Sequence, residues 1–216
     1  MSKDNGTMRR IPETSIRRLP AYLRALFRVG ADRITSDTLG QAAGYSSEQV
    51  RKDLAYFGAF GTRGVGYDVV MLRDEIRRIL RLDQGVRAVV VGAGRLGTAL
   101  VRYTDESARD VTIAAVVDVN PSVVGTRMGQ LTVEAMDHLE QIVAERNIGM
   151  GVITVPAQAA MAVCERLVGA GVRAILNFAP ATLTVADPTV VIQQIDLTLE
   201  MQALAYFAHS AERVGQ

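Results

Sequence analysis

A glycine-rich turn directly after a short apolar run constrains this chain more than any other feature. Residues 88–91 form a continuous apolar run, which is typical of a parallel strand buried on both faces. The segment that follows at once is Gly92-Ala93-Gly94-Arg95-Leu96-Gly97. Residues 98–101 then resume a helical pattern, and strand, GxGxxG and helix in this order is the context that binds a pyrophosphate. The sequence therefore predicts a Rossmann-type α/β domain, a parallel sheet with helices on both faces.

An acidic residue stands where such a domain needs one. Residues 111–117 have the pattern of a second strand, and Asp118 follows it, 21 residues after Gly97. A carboxylate at this place accepts hydrogen bonds from ribose hydroxyls and repels a 2′-phosphate. We therefore expect NAD or NADH as the ligand. S-adenosylmethionine and coenzyme A proteins use related turns, so these ligands stay open as alternatives.

Three further apolar runs, residues 151–155, 172–176 and 190–192, predict a continuation of the parallel sheet. Ligands of open α/β sheets bind beyond the carboxyl ends of the strands. The candidates at these ends are Thr154, Val155, Pro156, Asn177, Phe178, Ala179, Pro180 and Asp196. A last amphipathic segment, from residue 197 to about 213, is too apolar for a free tail, and we expect it to pack on a partner subunit.

The first part of the chain is basic and the second part is acidic. Residues 1–81 carry 15 Lys and Arg against 9 Asp and Glu, whereas residues 82–216 carry 9 against 14. Such segregation suggests a basic module for a polyanionic partner joined to an acidic one. Chance clustering on a solvated surface is the alternative.

The basic part has the pattern of a helix-turn-helix. Apolar spacing predicts a helix from Ser15 to Gly30, a second over residues 36–43 that Ser36 caps, and a third over 48–57. The cap of the third helix would be Ser46 or Ser47, and its side chains opposite the core or on the flank are those of Gln49, Arg51, Lys52 and Tyr56. These side chains suit the major groove of DNA, although a capped surface helix with incidental charges would show the same pattern.

Glycines 58, 61, 64 and 66 then permit a tight hairpin with Thr62 and Arg63 near its middle. An arginine at the tip of such a hairpin is typical of a wing that reaches the DNA backbone or minor groove. A connecting helix over 72–81 and a domain break at 83–85 follow. The sequence therefore predicts an N-terminal winged helix-turn-helix.

Several classes of function are disfavoured by what the chain lacks. The single cysteine, Cys164, excludes an internal disulfide, and His138 and His209 have no metal-ligand spacing, so we expect no metal. The only lysines are Lys3 and Lys52, which excludes the Tyr-x-x-x-Lys chemistry of short-chain reductases. We expect a cytoplasmic protein without membrane contact, because no apolar run approaches ~20 residues and the start has no signal-peptide core. Binding without catalysis fits better than an enzyme.

Several short strings distributed along the chain are far more specific than GxGxxG alone. They are Ile11-Pro12, the segment Arg18-Leu19-Pro20-Ala21-Tyr22-Leu23-Arg24, Gln49-Val50-Arg51-Lys52-Asp53-Leu54, Tyr56-Phe57-Gly58, Gly61-Thr62-Arg63-Gly64-Val65-Gly66-Tyr67, the glycine turn, and Leu176-Asn177-Phe178-Ala179-Pro180. Through these strings, which span nearly its whole length, the chain resembles the Rex family of redox-sensing transcriptional repressors.

The resemblance implies a homodimer that binds a palindromic operator when NADH is scarce and releases it when NADH binds. It also implies that the last helix is swapped onto the DNA-binding domain of the other subunit. By motif, Arg51 and Lys52 would contact DNA from the recognition helix, and Arg63 from the wing. Asp118 would hold the adenosine ribose, and Tyr103 would lie by the nicotinamide.

The resemblance also implies an interdomain switch. Asp196 would lie by the nicotinamide and have Arg24 as its partner in the other domain. We hypothesise that Asp196 pairs with Arg24 in the DNA-competent state and turns to Tyr103 in the NADH state. The family often has an aromatic residue after this aspartate, whereas Leu197 stands here.

The expected domains are a winged-helix domain over 1–83, a Rossmann-type domain over 84–196 and a dimerisation helix over 197–216. The expected DNA-binding residues are Ser47, Gln49, Arg51, Lys52, Tyr56, Thr62, Arg63 and Gly64. An NAD-dependent oxidoreductase or a coenzyme A-binding protein with an accessory winged helix is the alternative function.

Overall fold

The computed structural model describes residues 11–58, 61–62, 65–107 and 110–210 of the chain. Its contacts divide the chain into two compact units, Met1–Gln84 and Gly85–Gln216. The first unit contains the predicted helix-turn-helix, and the second contains the glycine-rich turn.

The first unit combines four helices with a three-stranded antiparallel sheet. Its elements are α1 (Glu13–Arg28), β1 (Arg33–Ile34), α2 (Ser36–Ala43), α3 (Ser47–Ala55), β2 (Gly61–Thr62), β3 (Gly66–Asp68) and α4 (Val69–Ile79). β3 lies between β1 and β2 and pairs with both. α2 ends at Gly44, whose left-handed φ of 81° makes the turn toward α3. The predicted winged helix-turn-helix is confirmed, whereas strand β1 had not been predicted.

Two helices are capped by side chains that the sequence analysis had not assigned as caps. The hydroxyl of Thr35, and not that of Ser36, accepts the backbone amide of Thr38 at 3.1 Å and caps α2. The carboxylate of Asp68 accepts the amide of Met71 at 2.9 Å, so α4 begins three residues before the predicted position. The prediction that Ser36 caps the second helix is therefore wrong.

The core of the first unit lies where α1 packs against α2 and α4 and where α2 packs against α3. The largest side chains with under 2% exposure there are Leu19, Tyr22, Leu26, Leu39, Leu54, Leu72 and Ile76. They follow the helical apolar spacing from which the helices were predicted. The hairpin of β2 and β3 adds Tyr67, while Arg63 and Gly64, which were predicted to contact DNA from the wing, lie outside the described residues.

The second unit is built on a seven-stranded sheet in the order β10-β9-β8-β4-β5-β7-β6, in which only β6 runs antiparallel to its neighbour. Its elements are β4 (Val86–Val91), α5 (Arg95–Ser107), β5 (Val111–Asp118), β6 (Arg127–Met128), β7 (Leu131–Ala135), α6 (Leu139–Glu145), β8 (Met150–Ile153), α7 (Ala157–Gly169), β9 (Ala174–Asn177), β10 (Val191–Gln194) and α8 (Leu197–Ser210). The parallel Rossmann-type sheet is confirmed, and β6 and β7 are strands that had not been predicted.

Both faces of this sheet are covered, as expected. Val89 and Val91 of β4 point into a core that α6 and α7 complete. Ala88 and Val90 point to the other face, where Val101 of α5 packs. Each residue of β4 from 88 to 91 is at most 2% exposed, which explains the continuous apolar run.

Helix α8 contrasts with the rest of the unit because every described side chain from 197 to 208 is exposed. Its large apolar side chains are Leu197, Leu199, Met201, Leu204, Tyr206 and Phe207, with exposures of 57–72%. A contiguous apolar surface of this kind marks an interaction site.

Candidate functional site

The glycine turn begins at the carboxyl end of β4 and is closed by close backbone contacts. Gly92 adopts a φ of 105°, and its amide donates to the carbonyl of Val117 at 2.9 Å. A Cβ at Gly97 would lie 2.1 Å from the carbonyl oxygen of Gly92, so no larger residue fits there without a shift. Around Gly94, by contrast, no heavy atom lies within 4 Å of where a Cβ would stand. The turn is therefore held by Gly92 and Gly97, and Gly94 leaves its outer side open.

The hydroxyl of Thr154 holds the turn against the neighbouring strand. Thr154 follows β8, which pairs with β4. Its Oγ1 donates to the carbonyls of Val91 at 3.0 Å and Gly92 at 2.9 Å, and its amide donates to Val91 at 2.9 Å. The structure gives Thr154 this supporting position at the rim of the site, where sequence reasoning had expected a contact with the cofactor.

The carboxylate of Asp118 lies beside the same turn. Its Oδ2 accepts the amide of Ala93 at 2.6 Å, and its Oδ1 accepts the amide of Asn120 at 2.8 Å. The side chain is half-buried, and a carboxylate has about four acceptor positions, so it can accept further hydrogen bonds. Asp118 is thus tied to the turn and keeps acceptor capacity toward solvent.

A cavity of about 210 Å³ opens at this edge of the sheet. It is lined by six of the predicted residues, namely Gly92, Gly94, Asp118, Thr154, Val155 and Pro156. Five lining residues were missed, namely Val91, Val119, Met136, Ala159 and Val163. Met136 follows β7, and recognising that strand would have placed it at a carboxyl end like the others. Val119 could have been found from its position in the sequence, directly after Asp118. In the structure its side chain is 79% exposed.

The remaining predicted cofactor residues do not line this cavity. Asn177 is fully buried, and its side-chain Nδ2 donates to the carbonyl of Ala181 at 2.9 Å and to Oε1 of Gln194 at 2.6 Å. Its Oδ1 accepts the amide of Ala179 at 3.0 Å. Asn177 therefore shapes the loop after β9, in which Phe178 is half-buried and Pro180 is exposed.

Asp196 has a structural position that sequence reasoning missed. Its Oδ1 accepts the amides of Thr198 at 2.9 Å and Leu199 at 3.2 Å, so it caps α8. Tyr103 on α5 is 66% exposed, and Arg24 on α1 is exposed. An acidic residue just before an apolar helical segment is the sequence signal that could have identified the cap.

Within the first unit, α3 presents the predicted DNA-binding side chains. Ser46 caps it by accepting the amide of Gln49 at 3.2 Å, as predicted. Arg51 and Lys52 are exposed, and Nη1 of Arg51 donates to Oγ of Ser36 on α2 at 2.7 Å. Two further predicted side chains, Ser47 and Tyr56, are half-buried. Thr62 forms a backbone pair with Gly66 in the hairpin.

A buried carboxylate lies beneath this surface. Asp53 of α3 is fully buried, and it accepts hydrogen bonds from Ser15 Oγ at 2.8 Å, Tyr22 Oη at 2.7 Å and Gln49 Nε2 at 2.9 Å. Arg18 contacts both carboxylate oxygens, with Nε at 2.6 Å and Nη2 at 2.7 Å. Gln49 is thereby placed at the margin of the exposed face, and not opposite the core as the helical spacing had indicated.

Burial by itself raises the pKa of Asp53, yet the hydrogen bonds from Arg18, Tyr22, Ser15 and Gln49 outweigh it, and the pKa stays below its ordinary value. The hydrogen bond to Asp53 in turn raises the pKa of Arg18. Burial, followed by the bond to Asp53, raises the pKa of Tyr22. Asp53 is therefore ionised at neutral pH. Sequence reasoning missed it, although its helical position between Val50 and Leu54 indicated a charge on the buried side.

Three further findings concern metal ligands, the single cysteine and membrane-spanning helices. Among the residues that the structure describes, no group of three or more His, Cys, Asp or Glu could hold a metal ion. Cys164 is buried in the core, as expected for a packing residue. None of the described helices is long and apolar enough to cross a membrane.

Two family models match the two halves of the chain. Residues 10–55 match a putative DNA-binding protein N-terminus, and residues 83–181 match a CoA binding domain. The first match contains α1, α2 and α3, and the second contains the glycine turn and the cavity.

Curated relatives match nearly the whole chain. The redox-sensing transcriptional repressor Rex of Streptomyces avermitilis is 44% identical over 211 residues, which are 96% of this chain and 82% of the relative. The protein of the same name from Natranaerobius thermophilus is 44% identical over 200 residues, 91% of each chain.

Solved structures are also similar to this chain over nearly its whole length. The crystal structure of RSP in complex with β-NAD⁺ and operator DNA has a TM-score of 0.85 and 31% identity and covers 95% of both chains. The structure of RSP with β-NADH has a TM-score of 0.81 and 30% identity, and covers 94% of this chain and 97% of that chain.

Fold and sites together define a DNA-binding regulator with a nucleotide-binding domain. A winged helix-turn-helix unit is joined to a Rossmann-type unit whose glycine turn borders a cavity. The chain belongs to the Rex family of redox-sensing transcriptional repressors. The identification made from its motifs is confirmed, and with it the prediction of a repressor and not an enzyme.

The contrast between Gly97 and Gly94 leads to a first prediction. Gly97→Ala should destabilise the second unit by about 1–3 kcal/mol, because the new Cβ would collide with the carbonyl of Gly92. Gly94→Ala, the matched control, should change stability by about 0.5 kcal/mol or less, since its surroundings are open. Differential scanning calorimetry of both variants measures the difference. Equal stability of the two would contradict the close contact.

The buried Asp53 leads to a pH prediction. Its pKa is lowered in the folded protein, so the unfolded state binds more protons and stability rises with pH. The contribution should be complete above about pH 4, the ordinary pKa of an aspartate, and should be lost as the pH falls through the lower folded value. Urea denaturation followed by tyrosine circular dichroism reports mainly on the first unit, which holds four of the six tyrosines.

Asp53→Asn is the control for that experiment. At neutral pH it should cost about 3–5 kcal/mol, because it removes the fully buried carboxylate that pairs with Arg18, whose side chain is 20% exposed. Its stability should then depend less on pH below about pH 4 than that of the wild type. Identical acid slopes in the two proteins would show that Asp53 does not carry the effect.

Proposed function

We propose that this protein is an NADH-responsive repressor that binds palindromic operator DNA as a homodimer and releases it when NADH binds. Membership of the Rex family supports the repressor function, and RSP has been crystallised with β-NAD⁺ and operator DNA and with β-NADH. The observation within this chain that carries the proposal is the cavity at the glycine turn, at the carboxyl ends of adjacent strands, in a chain that also contains a winged helix.

The residues at this cavity fit a dinucleotide. The open side of Gly94 would accept the pyrophosphate at the N-terminus of α5. Arg95 and Leu96 begin that helix, and Ala93 directs its amide to Asp118. Asp118 would accept the ribose hydroxyls, and the exposed Val119 beside it would pack on the adenine ring.

The nicotinamide would extend toward the other predicted residues. Thr154, Val155 and Pro156 follow β8, and the loop of Asn177, Phe178, Ala179 and Pro180 follows β9, the next strand in the sheet. Phe178 is tied to β8 because its amide donates to the carbonyl of Ile153 at 2.9 Å. This loop supplies apolar surface, and an unpaired cation is costly to bury in such surroundings. The neutral ring of NADH would therefore bind there more readily than the charged ring of NAD⁺.

The DNA would lie on α3 and the hairpin. Arg51 and Lys52 would contact base edges or phosphates, with Ser47, Gln49 and Tyr56 beside them. Thr62, Arg63 and Gly64 would reach the backbone or the minor groove from the wing.

Helix α8 would form the dimer contact. Its apolar side chains are exposed over the whole described length, and a helix with such a surface needs a partner. We assign it to the DNA-binding domain of the second subunit, as the family resemblance implies. Two paired recognition helices would then match the two half-sites of a palindrome.

The switch would involve Asp196, Arg24 and Tyr103. Asp196 caps α8 with Oδ1, so a change of partner at its other oxygen would act at the start of the dimer helix. A shift from 1:99 to 99:1 requires about 5.5 kcal/mol, whereas an exposed ion pair contributes about 0–1 kcal/mol. Repacking of α8 in the dimer must therefore supply most of the energy.

The proposed function is tested by fluorescence anisotropy of labelled promoter DNA. Wild-type protein should bind the DNA at moderate salt, and NADH should release it at concentrations at which NAD⁺ does not. Arg51→Ala should weaken DNA binding at least fivefold while NADH affinity stays unchanged. Glu13→Gln, an exposed charge on α1, is the control. DNA that stays bound at saturating NADH would refute the sensor function.

Asp118 should set the preference for NADH over NADPH. Asp118→Asn removes the charge and keeps an oxygen for the amide of Ala93, so the preference for NADH should fall by roughly tenfold while the turn persists. Asp137→Asn, an exposed carboxylate that does not line the cavity, is the control. Titrations that follow nicotinamide fluorescence measure both affinities. An unchanged ratio in Asp118→Asn would remove this residue from the ribose site.

A further inference from the structure

Gln49 differs from the other polar side chains of α3 because one end of its amide is already bound. Its Nε2 donates to Oδ1 of Asp53, one turn further along the helix, at 2.9 Å. Its Oε1 has no hydrogen-bond partner among the residues that the structure describes. The side chain is half-buried, at the border between the core and the exposed face.

The partner of this amide permits only one orientation. An ionised carboxylate accepts hydrogen bonds and has none to donate, so the NH₂ group of Gln49 must face Asp53 and the oxygen must face away. A flipped amide would turn its oxygen toward the carboxylate and lose the bond. Asp53 itself is held in place by hydrogen bonds, because Ser15, Arg18 and Tyr22 of α1 all donate to it.

The fixed amide has one acceptor and one remaining N–H. In a helix-turn-helix the N-terminal residues of the recognition helix contact base edges, and Gln49 lies in the first turn of α3. Adenine offers N7 as an acceptor and N6 as a donor in the major groove, which is the complement of a glutamine amide.

We propose that Asp53 is a positioning residue for DNA specificity, which fixes the amide of Gln49 so that α3 selects adenine at one position of each half-site. This inference rests on the proposed function, since it requires that α3 enters the major groove. Asp53 touches no base, because it is fully buried, and it acts through Gln49.

The test is selection from a pool of random-sequence duplexes with the full-length protein, followed by sequencing of the bound DNA. Wild-type protein should enrich a palindromic motif with adenine at one position per half-site. Gln49→Met should lose that preference by roughly 5- to 150-fold and keep the rest of the motif. Asp53→Asn should lose it at the same position, because an asparagine offers both a donor and an acceptor and holds the amide in either orientation.

Tyr22→Phe is the matched control for a merely structural effect. It removes a bond to Oδ2 of the same carboxylate and leaves Oδ1 with Gln49. It should lower the thermal stability and leave the selected motif unchanged. If Tyr22→Phe and Asp53→Asn flatten the motif alike, the effect is loss of packing and the inference is wrong.

A second measurement avoids the risk that Asp53→Asn does not fold. In the ¹⁵N-labelled wild type, the side-chain NH₂ of Gln49 can be assigned by its disappearance in Gln49→Met. Its order parameter should approach the backbone value of about 0.85, and a value below about 0.6 would overturn the inference.

The outcomes separate this inference from the proposed function. A wild type that enriches no motif refutes both. If the wild type enriches a motif and either Asp53→Asn or Gln49→Met retains that motif in full, only the role of Asp53 is refuted.

Discussion

The bond between the Thr154 hydroxyl and the end of β4 is the contact on which the dinucleotide site depends. One oxygen ties the carbonyls of Val91 and Gly92 to the neighbouring strand β8. This fixes where the chain leaves the sheet, so that Gly97 can pack against Gly92 and the N-terminus of α5 faces the cavity. The cavity exists because β4 and β8 are neighbours while their helices, α5 and α7, cover opposite faces.

In the first unit, the buried carboxylate of Asp53 fixes the position of a side chain at the surface of α3. The recognition helix must keep polar side chains in water and still hold a single orientation, and an exposed hydrogen bond is too weak for this. Asp53 achieves it because a buried carboxylate with four side-chain donors is costly to disturb. In both units one side chain, Thr154 at the rim of the cavity or the buried Asp53, fixes the geometry of neighbouring residues that would meet the ligand.

Much of the fold could be predicted because it depends on local patterns. The apolar run before Gly92 follows from burial of both faces of β4, and the helical spacing in the first unit follows from burial of one face of each helix. β7 escaped prediction because only Val133 of its five residues is buried, so the strand has no clear alternation, and Met136 after its end was missed with it. Ser36 was predicted as the cap of α2 because a serine hydroxyl can cap a helix, but the threonine one residue earlier can do the same, and Thr35 is the cap in the structure. Asn177 was expected at the ligand, whereas its amide is used inside the loop.

The sequence by itself determined the two classes of domain, the glycine turn and the acidic residue at the end of the second strand, because each depends on residues within about 30 positions of one another. Only the tertiary structure decided the strand order and the three partners of Asp53 on α1, namely Ser15, Arg18 and Tyr22, which lie 31 to 38 positions earlier in the chain. The physical reason is that a hydrogen bond between distant segments leaves no periodic trace in the sequence. Its existence depends on how two helices pack, and packing is decided by the whole core.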